Sequence, residues 1–351
     1  MRNLNVLEWL LEESNPSARY FTLRDILGCS ESDADLRAVK KKIPKSKPVT
    51  KILSRQRPDG YWGDVDNPYI PKYKASYWQV MVLADLGMTR QDPRMRSACN
   101  YIFSFQHAEG GFSSNTYRTA LREYSWRARR GKKLPSKTDW IQRHIYEGQL
   151  SCLTGNMAAA LIRLGYENDP RLQRALNWLI MVQNDDGGWL CPYWSAHAQD
   201  RHGCFYGTIG PLEAFSEVSP RKRTHATQRA IEHGAEFLLM HRLFKADHHN
   251  YSIINKSWLR FGFPPFYRYN ILRGLDVLTK LGYTRDQRAG DAIDVLLRKR
   301  CKDGTWVLES APAGRMHTNI EMAGRPSKWI TLVALRIMER LSGGRGRITT
   351  H

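Results

Sequence analysis

The chain has 351 residues, of which 54 are Lys or Arg and 34 are Asp or Glu, so its formal net charge is +20. Hydrophobic residues make up 42% of it, which is enough for a sizeable core and excludes a wholly disordered protein. No apolar run reaches the roughly 20 residues of a transmembrane helix, so we expect no membrane span. Six cysteines are too few for a disulfide scaffold. Because the N-terminus is not an apolar leader either, a cytoplasmic protein is expected.

In chain order, the sequence repeats one unit several times. A degenerate first copy ends at Gln56 and Trp62, and residues 230–249 are expected to hold another. Three fuller copies run from a Leu-Gly pair to a glycine-aromatic turn, over 25, 24 and 24 residues: Gly87 to Phe112, Gly165 to Trp189 and Gly282 to Trp306. Such regular spacing predicts a repeat architecture.

Each copy predicts two helices joined by a turn. Asp169-Pro170 is typical of a helix start, with Asp as the N-cap and Pro at the first helical position. The glycines of the Asp-Gly-Gly-Trp segment permit a turn with positive φ. A second, more apolar helix then leads to the next Leu-Gly. These second helices are predicted at Ser76–Leu86, Leu153–Leu164, Tyr267–Leu281 and Lys328–Leu341.

Alternating amphipathic and apolar helices predict an all-α fold, an α/α toroid of about six hairpins. The sequence resembles the terpenoid cyclase and protein prenyltransferase superfamily. The resemblance covers about residues 20 to 340 and rests on segments similar to the Gln-Trp repeats of squalene cyclases: Gln56–Gly63, Gln106–Phe112, Gln183–Trp189 and Asp303–Trp306. We expect a single toroid domain over residues 1–342, a basic insertion at 113–146 and a basic flexible tail at 343–351.

The segments that precede the inner helices of such a toroid should converge on a central cavity. Here they mix cationic and aromatic side chains, a composition suited to an anion attached to a flat or apolar group. The simpler alternative is that the aromatic residues pack the core. The expected pocket residues are Lys72, Tyr73, Lys74, Trp78, His202, Tyr206, Tyr267, Arg268, Tyr269, Lys328 and Trp329.

Asp64, Asp66 and Glu147 are the candidate catalytic carboxylates. A carboxylate beside an electron-rich cavity can stabilise an oxocarbenium-like transition state or activate water. Asp64 and Asp66 could equally cap turns. The resemblance implies a different chemistry, because class II terpene cyclases protonate an alkene with an Asp-rich motif. Its nearest match, at residues 64–67, lacks the final Asp.

No cofactor is expected, although a zinc site is a second possibility. Cys152, Cys191, His202 and Cys204 all lie near predicted inner-helix starts, and Cys and His side chains ligate zinc. The chain has no Cys-x-x-Cys pair, so small buried cysteines are the simpler interpretation.

The insertion at 113–146 interleaves aromatic with basic side chains. Basic side chains can contact phosphates and aromatic rings can stack on bases, so this composition favours nucleic-acid binding. The alternatives are a basic surface loop and a helix packed by its aromatic residues. The residues expected to contact nucleic acid are Trp126, Arg127, Arg129, Arg130, Lys132, Lys133 and Lys137.

Charge and insertion together predict a nucleic-acid-binding hydrolase, DNA-directed rather than RNA-directed. It would take an extruded base or nucleotide into the cavity and hydrolyse a glycosidic bond, as DNA glycosylases do. One alternative is a terpenoid or prenyl-diphosphate cyclase or transferase, in which Lys72, Lys74, Arg268 and Lys328 hold the diphosphate. The other is a non-catalytic toroid that serves as a binding module. The oligomeric state is not specified by the sequence.

Overall fold

The computed structural model describes residues 6–190, 202–312 and 314–343. Over these residues the chain forms fifteen α-helices and one two-stranded antiparallel sheet. In chain order these are α1 (Val6–Leu10), α2 (Pro16–Asp25), α3 (Ala34–Lys42), α4 (Lys47–Leu53), α5 (Ser76–Asp85), α6 (Pro93–Phe103), α7 (Tyr117–Ala128), α8 (Lys137–Glu147), α9 (Ser151–Arg163), α10 (Pro170–Met181), α11 (Phe205–Glu217), α12 (His225–Met240), β1 (Lys245–Ala246), β2 (Ser252–Ile253), α13 (Ile271–Lys280), α14 (Gly290–Arg298) and α15 (Lys328–Leu341).

The chain divides into two compact units. The first, called the central unit, comprises residues 52–234 and 315–317. The second, called the terminal unit, comprises the described residues of the stretches 1–51, 235–314 and 318–351. The single domain over residues 1–342 stays a prediction, and the predicted tail lies outside the described residues beyond Gly343.

Three apolar helices form the core of the central unit. Helix α9 packs against both α5 and α11, and nine of the ten residues of α5 are buried. Helices α9 and α11 approach closely, because a Cβ on Gly155 would lie 2.3 Å from the carbonyl carbon of Gly210. The amphipathic helices α6 and α10 each bury one face, against α5 and α9 respectively. The predicted pairing of an apolar with an amphipathic helix is therefore present.

The terminal unit also pairs buried apolar helices with amphipathic helices. Helix α15 packs against α2 and α13, and α14 packs against α13. Eight of the ten residues of α13 are buried, whereas α14 buries only Ala292 and Leu296. Helical hairpins thus build both units, and the predicted all-α fold of paired apolar and amphipathic helices is confirmed.

The aromatic residue of each repeat joins two neighbouring helices by hydrogen bonds. Trp189 Nε1 donates to Leu179 O near the end of α10 at 2.7 Å, and Trp189 N donates to Thr208 Oγ1 in α11 at 3.0 Å. Since these groups are buried, leaving any of them unpaired would be costly. Equivalent bonds link Trp62 to Ile52 and Ser76, Phe112 to Thr154, and Trp306 to Leu296 and Thr331.

In three of the repeats a glutamine ties its own turn to the next flanking helix. Gln183 Nε2 donates to Gly187 O at 2.7 Å and to Ala230 O in α12 at 3.0 Å. Gln56 bonds Gly60 and Arg94, and Gln106 bonds Gly110 and Arg171, in the same way. In the last copy Arg300 stands at the glutamine position, and its guanidinium carbon lies 5.6 Å from the Trp306 ring centroid.

Arg163, in the last turn of α9, joins the ends of the buried helices of the central unit. Its guanidinium contacts Asp85 in α5 at 2.7 Å, Glu217 in α11 at 2.8 Å and also Glu213. Burial opposes the charge of Arg163, but the three carboxylates hold its pKa well above the ordinary value. The cluster therefore fixes α5, α9 and α11 at the ends remote from the repeat turns.

The basic insertion forms a helical hairpin of α7 and α8. Trp140 stacks on His144, with ring centroids 5.4 Å apart, and the guanidinium carbon of Arg127 lies 5.3 Å from the Trp140 centroid. The two helices thus pack around the Trp140 indole of α8, one of the alternatives that the sequence left open.

Candidate active site

The candidate carboxylates Asp64 and Asp66 lie together on the central unit and share one cation. Arg118 Nη1 lies 3.1 Å from Asp64 Oδ2 and 3.3 Å from Asp66 Oδ2. The side chains of Asp64 and Asp66 are 37% and 57% exposed, so solvent screens this cluster. Asp64 Oδ1 also accepts a hydrogen bond from the Asp66 amide, which is the turn-capping role.

A cleft of about 570 Å³ opens beside the Arg118 cluster. Asp66 and Arg118 form part of its wall, and Tyr117 and Leu121 of α7 add apolar surface. Burial lowers the pKa of His107, another wall residue, so its imidazole is neutral over a wider pH range.

Glu147 pairs with a different cation from the other two candidate carboxylates. It ends α8, it is 56% exposed, and its Oε1 accepts a hydrogen bond from Arg143 Nε at 2.6 Å. An i,i+4 pair in this geometry is a common surface feature that adds little stability. Glu147 therefore has a cation partner of its own and does not share Arg118 with Asp64 and Asp66.

In the central unit, predicted pocket residues gather just before and within α5. Tyr73 and Trp78 have ring centroids 5.3 Å apart, and the Lys72 ammonium lies 5.6 Å from the Tyr73 centroid and 5.9 Å from that of Trp78. Trp78 Nε1 donates to Tyr69 O at 2.7 Å, which fixes the indole. Lys74 is exposed, and its carbonyl contacts the imidazole of His317 at 3.1 Å.

In the terminal unit, a second aromatic cluster lies at the beginning of α15. Trp329 stacks face to face on Phe263, with centroids 4.5 Å apart and an interplanar angle of 3°, and meets Phe21 edge-on at 5.9 Å. Trp329 is 4% exposed, and among the described residues its Nε1 has no hydrogen-bond acceptor. Large flat surfaces and an indole N–H are therefore concentrated here.

Other predicted pocket residues of the terminal unit have structural partners. Tyr269 OH donates to Leu243 O at 2.6 Å, and burial raises the pKa of this phenol well above its ordinary value. Lys328 is 7% exposed, and its ammonium contacts Trp9 O and lies 2.8 Å from Glu12 Oε2. Arg268 lies within 3.4 Å of Ser310 Oγ, and Tyr267 is half-buried.

Glu321 is a candidate that the sequence analysis missed. Its Oε1 accepts a hydrogen bond from Lys328 N at 2.8 Å, and its Oε2 contacts the hydroxyl of Ser327, the N-cap of α15. Burial raises the pKa of this carboxyl above its ordinary value, although the hydrogen bonds from Ser327, Lys328 and Trp329 act in the opposite direction. A carboxyl thus lies beside the aromatic cluster at the beginning of α15 and holds its proton to higher pH than an exposed glutamate.

The zinc candidates do not form a metal centre in the part of the chain that the structure describes. Cys204 Sγ accepts a hydrogen bond from Gly207 N at 3.1 Å as the N-cap of α11. The His202 side chain is 83% exposed and its Nδ1 lies 3.7 Å from Asp186. Half-buried Cys152 lies in the first turn of α9, and half-buried Tyr206 lies in the first turn of α11. Cys191 lies outside the described residues. No group of three His, Cys, Asp or Glu side chains among the described residues is placed to hold a metal ion.

The residues expected to bind nucleic acid all lie on the α7–α8 hairpin or in the loop that joins its helices. Trp126 is 48% exposed, and the Arg130 guanidinium carbon lies 3.7 Å from its ring centroid. Arg127 pairs with Glu123 at 2.7 Å. The other four are exposed: Arg129, Lys132, Lys133 and Lys137.

Comparison with known proteins gives two curated relatives. The squalene–hopene cyclase of Zymomonas mobilis is 26% identical over 163 residues, which are 41% of this chain and 20% of that protein. The squalene–hopene cyclase of Bradyrhizobium diazoefficiens is 23% identical over 185 residues, 51% of this chain and 24% of that protein. The chain therefore spans about a quarter or less of the length of these relatives. No family model matches the chain.

Solved structures are similar at low identity. The type II terpene cyclase MstE from Scytonema has a TM-score of 0.44 at 17% identity, covering 97% of this chain and 99% of that one. A protein from Actinoplanes has a TM-score of 0.45 at 15% identity, covering 95% and 90%. In the described part of the chain, no helix has the length and apolar character needed to cross a membrane.

The comparisons confirm one prediction and overturn another. Both curated relatives are squalene–hopene cyclases, as the resemblance of the Gln-Trp repeats to the terpenoid cyclase superfamily predicts. The prediction of a DNA-directed glycosidic hydrolase is wrong, because these relatives are terpenoid cyclases and nothing supports a nucleic-acid partner. The physical error lies in the charge argument. A basic surface attracts any polyanion and does not identify one.

Proposed function

We propose that the chain is an isoprenoid-processing enzyme of the terpenoid cyclase kind, which folds a linear polyisoprenoid against aromatic side chains and closes it into rings. The observation that carries this proposal is the set of Gln-Trp repeats, whose hydrogen bonds recur in both units. The squalene–hopene cyclase relatives support it, and their name gives squalene, an apolar linear hydrocarbon, as the substrate.

The aromatic clusters suit the chemistry of such a reaction. Cyclisation of an isoprenoid passes through carbocations, and the face of an indole or phenyl ring attracts positive charge. Phe263 and Trp329 of the terminal unit, the unit that also contains Glu321, supply such faces. Because these side chains are buried and fixed, their rings need little reorganisation when a cation forms.

Glu321 is the proposed proton donor. Its proton would pass to an alkene carbon of the substrate, the π electrons would form the new C–H bond, and the neighbouring carbon would become the cation. After ring closure a carbon-bound proton leaves to water, and solvent reprotonates Glu321, so the net reaction is an isomerisation. The carboxylate formed in between is stabilised by the Lys328 amide, the Ser327 hydroxyl and the N-terminal end of α15.

The partners of Lys328 argue for a hydrocarbon substrate and against a diphosphate at this side chain. Lys328, one of the four residues expected to hold a diphosphate, already contacts Glu12 and Trp9. A buried lysine with a carboxylate partner would lose that interaction in order to bind a phosphate.

The test is product analysis with the purified chain in detergent. By gas chromatography and mass spectrometry, squalene should give a product of unchanged mass with fewer carbon–carbon double bonds. In a parallel assay, geranylgeranyl diphosphate should release no pyrophosphate. Glu321→Gln should abolish turnover, while Glu147→Gln, an exposed carboxylate paired with Arg143, should retain it. Pyrophosphate release would instead indicate diphosphate chemistry, and a folded protein inactive on both substrates would contradict the proposal.

A further inference from the structure

The α7–α8 hairpin concentrates the positive charge of the molecule. Residues 117–147 contain nine Lys or Arg and three Asp or Glu, a net charge of +6 in less than a tenth of the chain. Arg122 and Arg129 are exposed and form no ion pair among the described residues. Repulsion within such a cluster is relieved when it meets an extended anionic surface.

Exposed aromatic side chains accompany this charge. Arg118, Arg122 and Trp126 follow one another at four-residue spacing on α7, so they share one face of the helix, and Arg130 covers the Trp126 ring. Tyr117 and Tyr146 are 61% and 58% exposed. Tyr and Trp are the aromatic residues preferred at membrane–water interfaces, because each ring has an apolar body and a polar group.

We propose that the α7–α8 hairpin docks on the surface of an anionic lipid bilayer. Arg122, Arg129 and the lysines that follow α7 would contact lipid phosphates, and Trp126 would lie at the headgroup level. Charge complementarity is what selects this partner, since clustered basic residues next to interfacial aromatic residues attach proteins to anionic membranes. The inward faces of the hairpin, with Ala120 and Ile141, are already buried, so the exposed cationic face is the one available for docking.

This inference stands on the hairpin's own charge and exposure and not on the proposed function. If both hold, docking brings the enzyme to the apolar phase in which a linear isoprenoid dissolves. The two remain separable, because turnover of substrate in detergent needs no bilayer.

The experiment is sedimentation of the full chain with vesicles of phosphatidylcholine alone or mixed with phosphatidylglycerol, over a salt series. Binding should require the anionic lipid and weaken with salt. The double variant Arg122→Glu/Arg129→Glu should weaken binding by about tenfold or more. The control Arg221→Glu/Lys302→Glu makes the same change in net charge at exposed sites outside the hairpin and should have a much smaller effect.

A second measurement follows the position of Trp126. Lipids brominated near the headgroup should quench part of the tryptophan fluorescence of vesicle-bound protein, and Trp126→Phe should remove that part.

Equal loss of binding in the two charge variants would overturn the proposal, as would equal binding to neutral vesicles. Retention on immobilised heparin without vesicle binding would also overturn it, and would indicate a soluble polyanion instead. Detergent turnover unchanged in Arg122→Glu/Arg129→Glu would keep the hairpin's role distinct from catalysis.

Discussion

Glu321 combines two opposing influences on one carboxyl group. Burial destabilises its charged form, whereas Ser327 and the amides that begin α15 stabilise that form. Burial is the larger effect, so the pKa is raised. At this scale the same balance sets both the contribution of Glu321 to stability and its fitness as a proton donor.

Glu321→Gln should change how stability depends on pH. The folded carboxyl has the higher pKa, so the folded state binds more protons than the unfolded state at pH values above the ordinary glutamate pKa of 4.5. The contribution of Glu321 to stability is therefore full below that pH and is lost as pH rises through the raised pKa. The glutamine does not titrate. Urea unfolding at several pH values should show the variant gaining stability relative to wild type as pH rises. A difference independent of pH would contradict the assigned shift.

Trp189→Phe tests the hydrogen bond from the repeat tryptophan to Leu179 O at the end of α10. The variant loses the donor to Leu179 O and part of a fully buried ring, so unfolding should require about 2 kcal/mol less free energy. Trp126→Phe is the matched control on an exposed indole, and its effect should stay within about 0.5 kcal/mol. Equal denaturant midpoints for the two variants would contradict the role given to the repeat tryptophan.

At the scale of elements, a glycine in three of the repeat turns, at Gly60, Gly110 and Gly187, sets how closely the turn approaches the next flanking helix. Gly187 has φ +85°, and a Cβ there would lie 2.3 Å from the His233 carbonyl oxygen in α12. Gly110 approaches Arg174 in α10 in the same way. A side chain at either position would meet backbone that cannot move aside, so the turn glycine serves both conformation and packing.

Gly187→Ala and Gly282→Ala separate these two effects. Gly282 also has a positive φ, +102°, but a Cβ there would meet nothing within 4 Å. Alanine at Gly282 should therefore cost only backbone strain, about 1 kcal/mol. Alanine at Gly187 adds the clash with α12 and should cost about 3 kcal/mol or more. Thermal or urea unfolding would measure both. Similar losses would show that the close approach is unimportant.

Elements were predictable because their signals are local. The Leu-Gly pairs predict the ends of α5, α9 and α13 to within one residue, and α15 spans the predicted Lys328–Leu341. The predicted start of α13 at Tyr267 is wrong, because the Asn270 side chain caps a helix that begins at Ile271. The ion pairs and hydrogen bonds of the site residues could not be predicted, because the partners are distant in sequence. Arg118 lies more than fifty residues from Asp64, and Glu12 lies at the opposite end of the chain from Lys328. Glu321 could have been noticed only as a carboxyl shortly before the Ser327 N-cap.

At the scale of the whole molecule, net charge and repeat pattern point to different kinds of function. The repeats resemble the Gln-Trp repeats of squalene cyclases, and the two curated relatives are squalene–hopene cyclases. The charge of +20 describes the surface, and about a third of it lies on the α7–α8 hairpin. A basic surface does not identify a substrate, and the nucleic-acid prediction was wrong for that reason. The charge is better explained by a docking surface, and the proposed chemistry rests on the buried aromatic side chains and Glu321.

The most direct test of the central claim is to incubate the purified chain with squalene in D₂O and analyse the products by mass spectrometry. Proton-initiated cyclisation predicts a cyclic product that carries one deuterium on a carbon at which the alkene was attacked. Glu321→Gln should form none of it. Unchanged squalene with the folded wild-type chain, or a cyclic product without deuterium, would contradict the account.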